Sequence, residues 1–311
     1  MSASEAKYLF GPVPSRRLGL SLGVDVIPFK ACTLDCVYCQ LGHTREKTLE
    51  RKVYVRPEPV LEELRVKLTR PPRPDYISLS GSGEPTLNSA LGEIIDGIKN
   101  LTEIPVALLT NGTLLYDRSV LRNCLHADVI LPSLDAPDAE TFEKINRPHH
   151  DISIEKLVEG LCLLRDQFKG QIWLEVFLIE PINTQPIHIK KFRAIIEKIR
   201  PDKIQLNTAV RPTAESWVKA LSAEMMERIA GEIGNNCEVI ADFSCPKQIR
   251  NDVAELEQLL SILKRRPCSV DDISSAMQIN PNAALKLITI LLQGGQIQQI
   301  STQNKSFFKA V

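Results

Sequence analysis

Three cysteines within eight residues, Cys32, Cys36 and Cys39, are the part of this chain best suited to chemistry. They stand in Ala31-Cys32-Thr33-Leu34-Asp35-Cys36-Val37-Tyr38-Cys39-Gln40, directly after a β-rich run, where one short loop can wrap its sulfurs around a single metal centre. Thiolates suit zinc and iron–sulfur clusters. A 4Fe-4S cluster normally takes four cysteines, so a cluster held by three keeps one iron open to an outside ligand. An open coordination position marks a catalytic rather than a structural site. Zinc is the competing reading, because His43 lies four residues beyond Cys39 and would complete a Cys₃His tetrahedron.

A second motif, Ser80-Gly81-Ser82-Gly83-Glu84-Pro85-Thr86-Leu87, also follows a strand-like run. Its two glycines allow a ligand to approach the backbone closely, and Glu84 offers a carboxylate suited to an ammonium group. No Gly-Lys-Ser/Thr follows, which removes the P-loop reading. The chain has eight cysteines, and Cys124, Cys162, Cys237, Cys245 and Cys268 are scattered. In a long chain without an export signal, this pattern argues for thiolate or metal chemistry over a disulfide framework. Cys237, Cys245 and Cys268 read either as an auxiliary cluster or as small buried hydrophobes.

The elements that must position these residues are βαβ units. From about Gly23 to Ile233, short β-rich runs alternate with segments of helical period, the pattern of a parallel sheet. The expected strands are Val24–Phe29, Tyr76–Ser80, Val106–Thr110, Val129–Asp135, Ile172–Ile179 and Ile204–Val210. Helical spacing runs through Leu61/Leu64/Leu68, Leu91/Ile94/Ile95/Ile98, Ile154/Leu157/Val158/Leu161, Ile189/Phe192/Ile195/Ile196/Ile199 and Met225/Ile229/Ile233, with a shorter helix over Arg118–Cys124. Strands covered on both faces should be uniformly apolar. Here Ser78/Ser80, Ser133/Asp135, Glu175 and Gln205/Asn207 put polar groups at period two, opposite Ile77/Leu79, Ile130/Leu134 and Ile204/Leu206. A curved sheet with helices outside and a polar, ligand-filled concave face accounts for this, and six units make an open partial barrel. In such a barrel, active sites sit at the C-terminal ends of the strands, where the cysteine loop is expected. Glu175, an inward carboxylate in an apolar strand, needs a partner, expected from a cofactor or substrate.

After Asn251 the pattern changes. Ala254–Lys264, Val270–Met277 and Pro281–Leu292 read as three helices, and Gly294-Gly295 precedes β-like stretches at Ile297–Ile300 and Ser306–Val311. This is the pattern of a winged helix-turn-helix, so the expected domains are residues 1–250 and 251–311. From Ala254 onward the second carries six basic against four acidic residues, with only Lys286 on the helix that would read a nucleic acid. That footprint is weak for phosphate binding. Docking of a protein or peptide, or structural capping, are the other roles open to it.

Composition sets the outer bounds. Across 311 residues, 43% hydrophobic and 24% charged, Lys+Arg and Asp+Glu number 38 each, so no global field draws the chain to nucleic acid or anionic lipid. The segment Met1–Phe10 has no apolar signal core, and no run reaches the ~18 residues a bilayer demands. A cytoplasmic protein with no membrane partner is expected.

Taken together, the Cys32/Cys36/Cys39 triad with Tyr38 before its third cysteine, the Gly-Ser-Gly-Glu-Pro turn and Ser133-Leu134-Asp135 resemble the radical S-adenosylmethionine (radical SAM) superfamily over roughly Phe10 to Ala241. The resemblance implies an α/β fold, a partial (β/α)6 barrel of radical SAM type, with the small winged-helix domain appended. It also implies an enzyme with one 4Fe-4S cluster, ligated by Cys32, Cys36 and Cys39, whose open iron binds SAM. Reductive cleavage of SAM would then give a 5′-deoxyadenosyl radical that abstracts a substrate hydrogen. By the same resemblance Gly81, Ser82, Gly83 and Glu84 would hold the methionyl amine, Ser133 and Asp135 would lie near the ribose or carboxylate, and Tyr38 would border the adenine. Asn111, Glu175 and Asn207 are further expected contacts, and a reductase, flavodoxin or ferredoxin would supply the electron.

Within the superfamily, Gly11-Pro12-Val13-Pro14-Ser15-Arg16-Arg17-Leu18-Gly19, the cysteine loop and Ile145-Asn146-Arg147-Pro148 are most similar to the iron–sulfur oxidoreductases grouped with wyosine synthase, which builds a tricyclic base on tRNA. Wyosine synthases carry second-cluster cysteines before the triad, and this chain has none before Cys32. An RNA base and a peptide or protein both remain as substrates. A zinc-bound, non-catalytic DNA-binding regulator is the rival from another class. The loop Pro137–Asp151, with Arg147, His149 and His150, is expected over the barrel mouth, and Arg16 and Arg17 are suited to a phosphate or carboxylate.

Overall fold

A computed structural model of the chain describes residues 8–211, 213–241, 253–277, 279, 281–302 and 305–311; Cys245 and the expected boundary at 250–251 lie outside them. In chain order the elements are β1 (Leu9–Ser15), β2 (Gly19–Val24), β3 (Ala31–Cys32), β4 (Glu46–Lys47), α1 (Pro57–Leu68), β5 (Tyr76–Leu79), α2 (Leu91–Leu101), β6 (Val106–Thr110), α3 (Arg118–Cys124), β7 (Val129–Pro132), α4 (Ala139–Ile145), α5 (Ile154–Gln167), β8 (Gln171–Phe177), α6 (Pro186–Ile199), β9 (Lys203–Asn207), α7 (Ala223–Ile233) and β10 (Cys237–Val239). Then come α8 (Val253–Arg265), α9 (Val270–Met277), α10 (Pro281–Gln293), β11 (Ile297–Thr302) and β12 (Lys305–Ala310). Local chemistry sets the helix starts. Asp117, Asp138, Ser153 and Ser222 accept first-turn N–H groups at α3, α4, α5 and α7, and proline opens α1 and α6.

The main sheet runs β1-β2-β5-β6-β7-β8-β9-β10, with β1 antiparallel to β2 and every other pair parallel. It is therefore an open α/β sheet with β1 and β10 as its edges. The parallel strands number seven, not the expected six, because β10 adds one. The first is also displaced from the expected Val24–Phe29 to Gly19–Val24. Pro28 has no N–H for a ladder, and the apolar Val26 and Ile27 are buried in a loop instead. Pro12 and Pro14 sit in β1, where an edge strand with a register shift between Phe10 and Val13 tolerates them.

The pleat sorts the strand residues into two layers. Leu22, Ile77, Leu108, Ile130, Leu174 and Leu206 face the helices and join Val60, Ile94, Leu161, Phe192 and Ile229 in the principal core. The other face divides along its length. Leu18, Ala107, Val129, Leu131 and Trp173 form an apolar plug toward the strand starts. Beyond it lie Glu175, Gln205 and Asn207, as the period-two polarity anticipates.

The C-terminal unit has its own core of Leu259, Leu263, Ile273, Ile288, Leu291 and Phe308, under the antiparallel β11–β12 hairpin. It is seated against the β1 edge of the main sheet. α10 lies against β1, Leu41 packs onto the C-terminal core, and Arg45 pairs with Asp271. Among the described residues no helix is long and apolar enough to cross a membrane.

Candidate metal and cofactor centre

The cysteine loop is braced along its length before any metal is considered. β3 pairs with β4, and the N–H groups of Asp35 and Val37 donate to the carbonyls of Asn146 (3.0 Å) and Ile145 (2.9 Å). His149 N–H donates back to Thr33 (2.9 Å). Each sulfur then meets one nitrogen donor: Asn111 Nδ2 lies 3.6 Å from Cys32 Sγ, Asn146 Nδ2 3.4 Å from Cys36 Sγ, and Lys30 Nζ 3.1 Å from Cys39 Sγ. Such outer donors orient metal ligands and tune the metal they hold. Burial pushes the Cys32 thiol up to about 12, helped by the charge of Glu84, and burial with Asp135 takes Cys36 well above its ordinary range. Both ionise only against a metal, so loading the site releases protons.

The donor set fits a polynuclear cluster better than one ion. Zinc holds sulfurs ~2.3 Å from itself, which brings them within about 4 Å of one another. Among the described residues, only His149, His150 and Asp151 place three metal-ligating atoms within 4.8 Å of one another. The triad is thus spread wider than zinc requires, as the larger frame of a 4Fe-4S cluster allows. His43 does not complete a tetrahedron; its Nδ1 lies 3.3 Å from Asp35 and its Nε2 3.8 Å from Glu215.

The glycine turn docks onto this loop through backbone. Glu84 N–H donates to Ala31 O (3.0 Å) and Lys30 N–H to Ser82 O (2.5 Å). A Cβ on Gly83 would stand 1.9 Å from that Ala31 oxygen, and one on Gly81 2.7 Å from Asp25 Oδ1. Asp25 also accepts from Ser82 N–H and, at 2.5 Å, from Ser82 Oγ. Glu84 is buried. Its Oε1 accepts from Thr86 N–H, Thr86 Oγ1 and Thr110 Oγ1, while Oε2 takes one bond, from Asn111 N–H at 2.8 Å. Oε2 therefore keeps a lone pair for an ammonium. Asn111 is both a turn residue, accepting from Thr113 N–H, and a site residue, donating to Thr33 (2.8 Å) beside Cys32.

Beyond Cys36, Asp135 gathers a second group. Tyr38 donates its hydroxyl to Asp135 Oδ2 and stacks on Phe177 at 3.9 Å, and Asn146 Nδ2 and Phe177 N–H donate to the same carboxylate. Burial pushes Asp135 up to about 6 despite these donors. Asn146 Oδ1 is buried with no partner among the described residues. An orphaned acceptor beside Cys36 suits a donor on a bound ligand. Glu175, expected to await a ligand donor, instead finds partners in the chain, Arg17 and Asn207 Nδ2 (2.8 Å). Its pKa is lowered; burial alone would raise it, and Arg17, Asn207 and Arg16 together more than offset that. Asn207 Oδ1 accepts from Thr208 N–H, so both ends of that amide are engaged. Ser133 bridges to Glu175 across the strands.

Packing revises one expectation, separates two of the scattered cysteines and adds three residues to the site. The segment 145–149, foreseen over the barrel mouth, is a strut for the cysteine loop, and Arg147 pairs with Glu215 at 2.6 Å. Cys237 packs at the principal core and Cys268 is buried in the C-terminal one, which separates them as ligands of one cluster. Asp25, Lys30 and Asn146 emerge as site residues that sequence reasoning passed over. The only signal available was that Asn146 lies in the quoted Ile-Asn-Arg-Pro motif.

Lys30 adopts φ 62, a left-handed conformation that costs about 1–2 kcal/mol in a residue with a side chain. The conformation sends a buried ammonium to Cys39. A positive charge there favours the reduced, more anionic cluster. Lys30→Met is expected to lower the midpoint potential by roughly 60–120 mV, one to two decades at ~59 mV each, in an anaerobic redox titration followed by EPR. An unchanged potential would reject the role.

Comparison with known proteins follows the same lines. A family model described as the radical SAM superfamily matches residues 26–192. A UPF0026 protein of Methanocaldococcus jannaschii is 31% identical over 306 residues, covering 96% of this chain and 94% of that one. A Brachyspira hyodysenteriae protein named GTPase Obg is 37% identical over 301 residues, but those cover 96% of this chain and only 44% of the relative's length. Among solved structures, one of TYW1 with a lysine-pyruvate adduct bound shares the fold at a TM-score of 0.52 and 19% identity, over 70% of this chain and 74% of that one.

Proposed function

Because this chain belongs to the radical SAM superfamily, we propose that it is an enzyme that abstracts hydrogen from a nucleobase in RNA. The class brings a 4Fe-4S cluster and S-adenosylmethionine. When bound, they supply an electron to the sulfonium and a 5′-deoxyadenosyl radical to the substrate. The rest belongs to this chain's residues. Cys32, Cys36 and Cys39 hold the cluster, with Asn111, Asn146 and Lys30 behind their sulfurs. The Gly81–Gly83 backbone and Glu84 Oε2 take the methionyl amine; Asn146 Oδ1, Asp135 and Ser133 take the polar groups of the nucleoside, with Tyr38 at its base. Asn207 and Glu175, fixed by Arg17, form the polar floor on which substrate rests. The Leu18–Trp173 plug closes the far end against water.

The observation that carries the reading is the Gly83 turn clamped onto a triad whose sulfurs each meet a separate donor. The similarity of the Gly11–Gly19 and Ile145–Pro148 motifs to wyosine-synthase relatives favours RNA. The C-terminal helices and hairpin we read as a winged helix over residues 251–311, with the barrel over 1–250. Lys286, the base such a module would offer DNA, is half-buried on α10, the helix that lies against β1, which disfavours the zinc-bound regulator.

Anaerobically reconstituted full chain with a flavodoxin or chemical reductant is expected to hold about four irons and release 5′-deoxyadenosine faster with a tRNA pool than without. Affinity for that pool should fall about tenfold or more between low and physiological salt. Stimulation by a peptide library, with tRNA inert, would move the substrate to the peptide reading. Colourless protein with one zinc would end the enzymatic proposal.

A further inference from the structure

The turn that ends the strut behind the cysteine loop carries a second group of metal-ligating side chains. His149, His150 and Asp151 place one ligating atom each within 4.8 Å of one another. The Asp151 carboxylate is their hub. Its Oδ2 stands 3.4 Å from His150 Nε2 and 3.7 Å from His149 Nδ1, and the two imidazoles stack with centroids 4.2 Å apart. A zinc ion with bonds of ~2.1 Å holds tetrahedral ligand atoms about 3.4 Å from one another, so small side-chain rotations gather all three around one cation. Asp151 N–H also reaches His149 Nδ1, at 3.3 Å, a long bond that a cation readily replaces.

The backbone beneath these side chains is fixed from several directions. His149 N–H donates to Thr33 O and Ile152 N–H to His149 O, each at 2.9 Å. Lys47 Nζ donates to the carbonyls of Arg147 and Pro148 at 3.2 Å, and Lys156 Nζ to that of Asp151 at 2.8 Å. Both ammoniums thus bind carbonyls, and the Asp151 carboxylate is left to the imidazoles. A turn held in this way presents its ligands with little ordering left to do on binding. We propose that His149, His150 and Asp151 bind a divalent first-row transition-metal ion of zinc's class, outside the cluster, and that this ion pins the strut that shapes the cysteine loop. Two imidazoles and one carboxylate suit such an ion, whereas magnesium and calcium take oxygen ligands. The pinning runs through His149, whose N–H holds Thr33 between Cys32 and Cys36. Neither the site nor the pinning depends on the RNA reading.

The test uses the full-length, cluster-loaded protein under anaerobic conditions, titrated calorimetrically with Zn2+ and, as comparator, Mg2+. Wild type should bind one zinc per chain in addition to its iron. His150→Ala and Asp151→Asn should each weaken zinc by about tenfold or more. Those side chains are 82% and 60% exposed, so the substitutions leave the fold standing. His126 pairs with Asp96 at 2.6 Å without a third ligating atom among the described residues, and His126→Ala should leave the Kd alone. Zinc-edge X-ray absorption should show two imidazoles at about 2.0 Å; a sulfur shell at about 2.3 Å would put the zinc in the cysteine loop and overturn the site. Equal zinc affinity in wild type and both variants, or magnesium bound in preference to zinc, would overturn it as well. One equivalent of Zn2+ should slow the bleaching of the cluster by air about twofold or more in wild type and leave it unchanged in His150→Ala. Bleaching in wild type that ignores bound zinc would overturn the pinning.

Discussion

Alanine at Cys32, Cys36 or Cys39 should leave the chain colourless and without SAM cleavage. Loss of an outer-shell partner alone typically costs a metal site 10–100-fold, so removing a ligand should cost more than about a hundredfold in 5′-deoxyadenosine release. The contrast lies with the other cysteines. Cys124 and Cys268 are buried in separate cores, and Cys162 and Cys237 are half-buried among apolar neighbours. Serine at Cys162 or Cys237 should keep about four irons per chain and full cleavage. Iron and sulfide analysis with visible spectra decides. A Cys237→Ser variant that loses half its iron would establish an auxiliary cluster, and a Cys36→Ala variant with a wild-type spectrum would remove the triad from its role.

Gly83→Ala should be nearly as damaging, for a geometric reason. The added methyl would meet the Ala31 carbonyl oxygen at 1.9 Å, and that oxygen accepts the Glu84 N–H which joins the turn to the cysteine loop. Backbone cannot swing aside as a side-chain tip can, so turn and loop must part by about 1 Å or more. Misplacement on that scale costs about 10²-fold in rate. SAM binding by equilibrium dialysis and single-turnover cleavage should both fall, with the iron content largely retained. Gly231→Ala is the control, since nothing lies within 4 Å of its added methyl. Wild-type cleavage in Gly83→Ala would show that the turn does not hold the cofactor.

What repeats locally was readable from sequence, and what pairs across the chain was not. Val106–Thr110 is the strand the alternation predicts, and Pro281–Gln293 differs from the expected helix by one residue, because periodicity is a property of neighbours. β1 was hidden by Gly11, Pro12 and Pro14, which read as a loop and are tolerated only because the strand lies at an edge. β10, three residues long, is too short to show a period. The cysteine triad and the glycine turn announce themselves by spacing. Asp25 holding Ser82, Arg17 meeting Glu175 and Asn146 meeting Cys36 join residues 57, 158 and 110 positions apart, and no linear pattern encodes them. The half-burial of Lys286 belongs to the same class, since the sequence showed it only as the one base on the helix that would read a nucleic acid.

The strut from Ile145 to His149 also bears on the cysteine ligands. Because peptide groups from a distant segment dictate the path around Thr33, Asp35 and Val37, the course of the cysteine loop is inherited from the rest of the fold as well as from its own sulfurs, and a substitution at Asn146 or Ile145 would be felt at the ligands without replacing one.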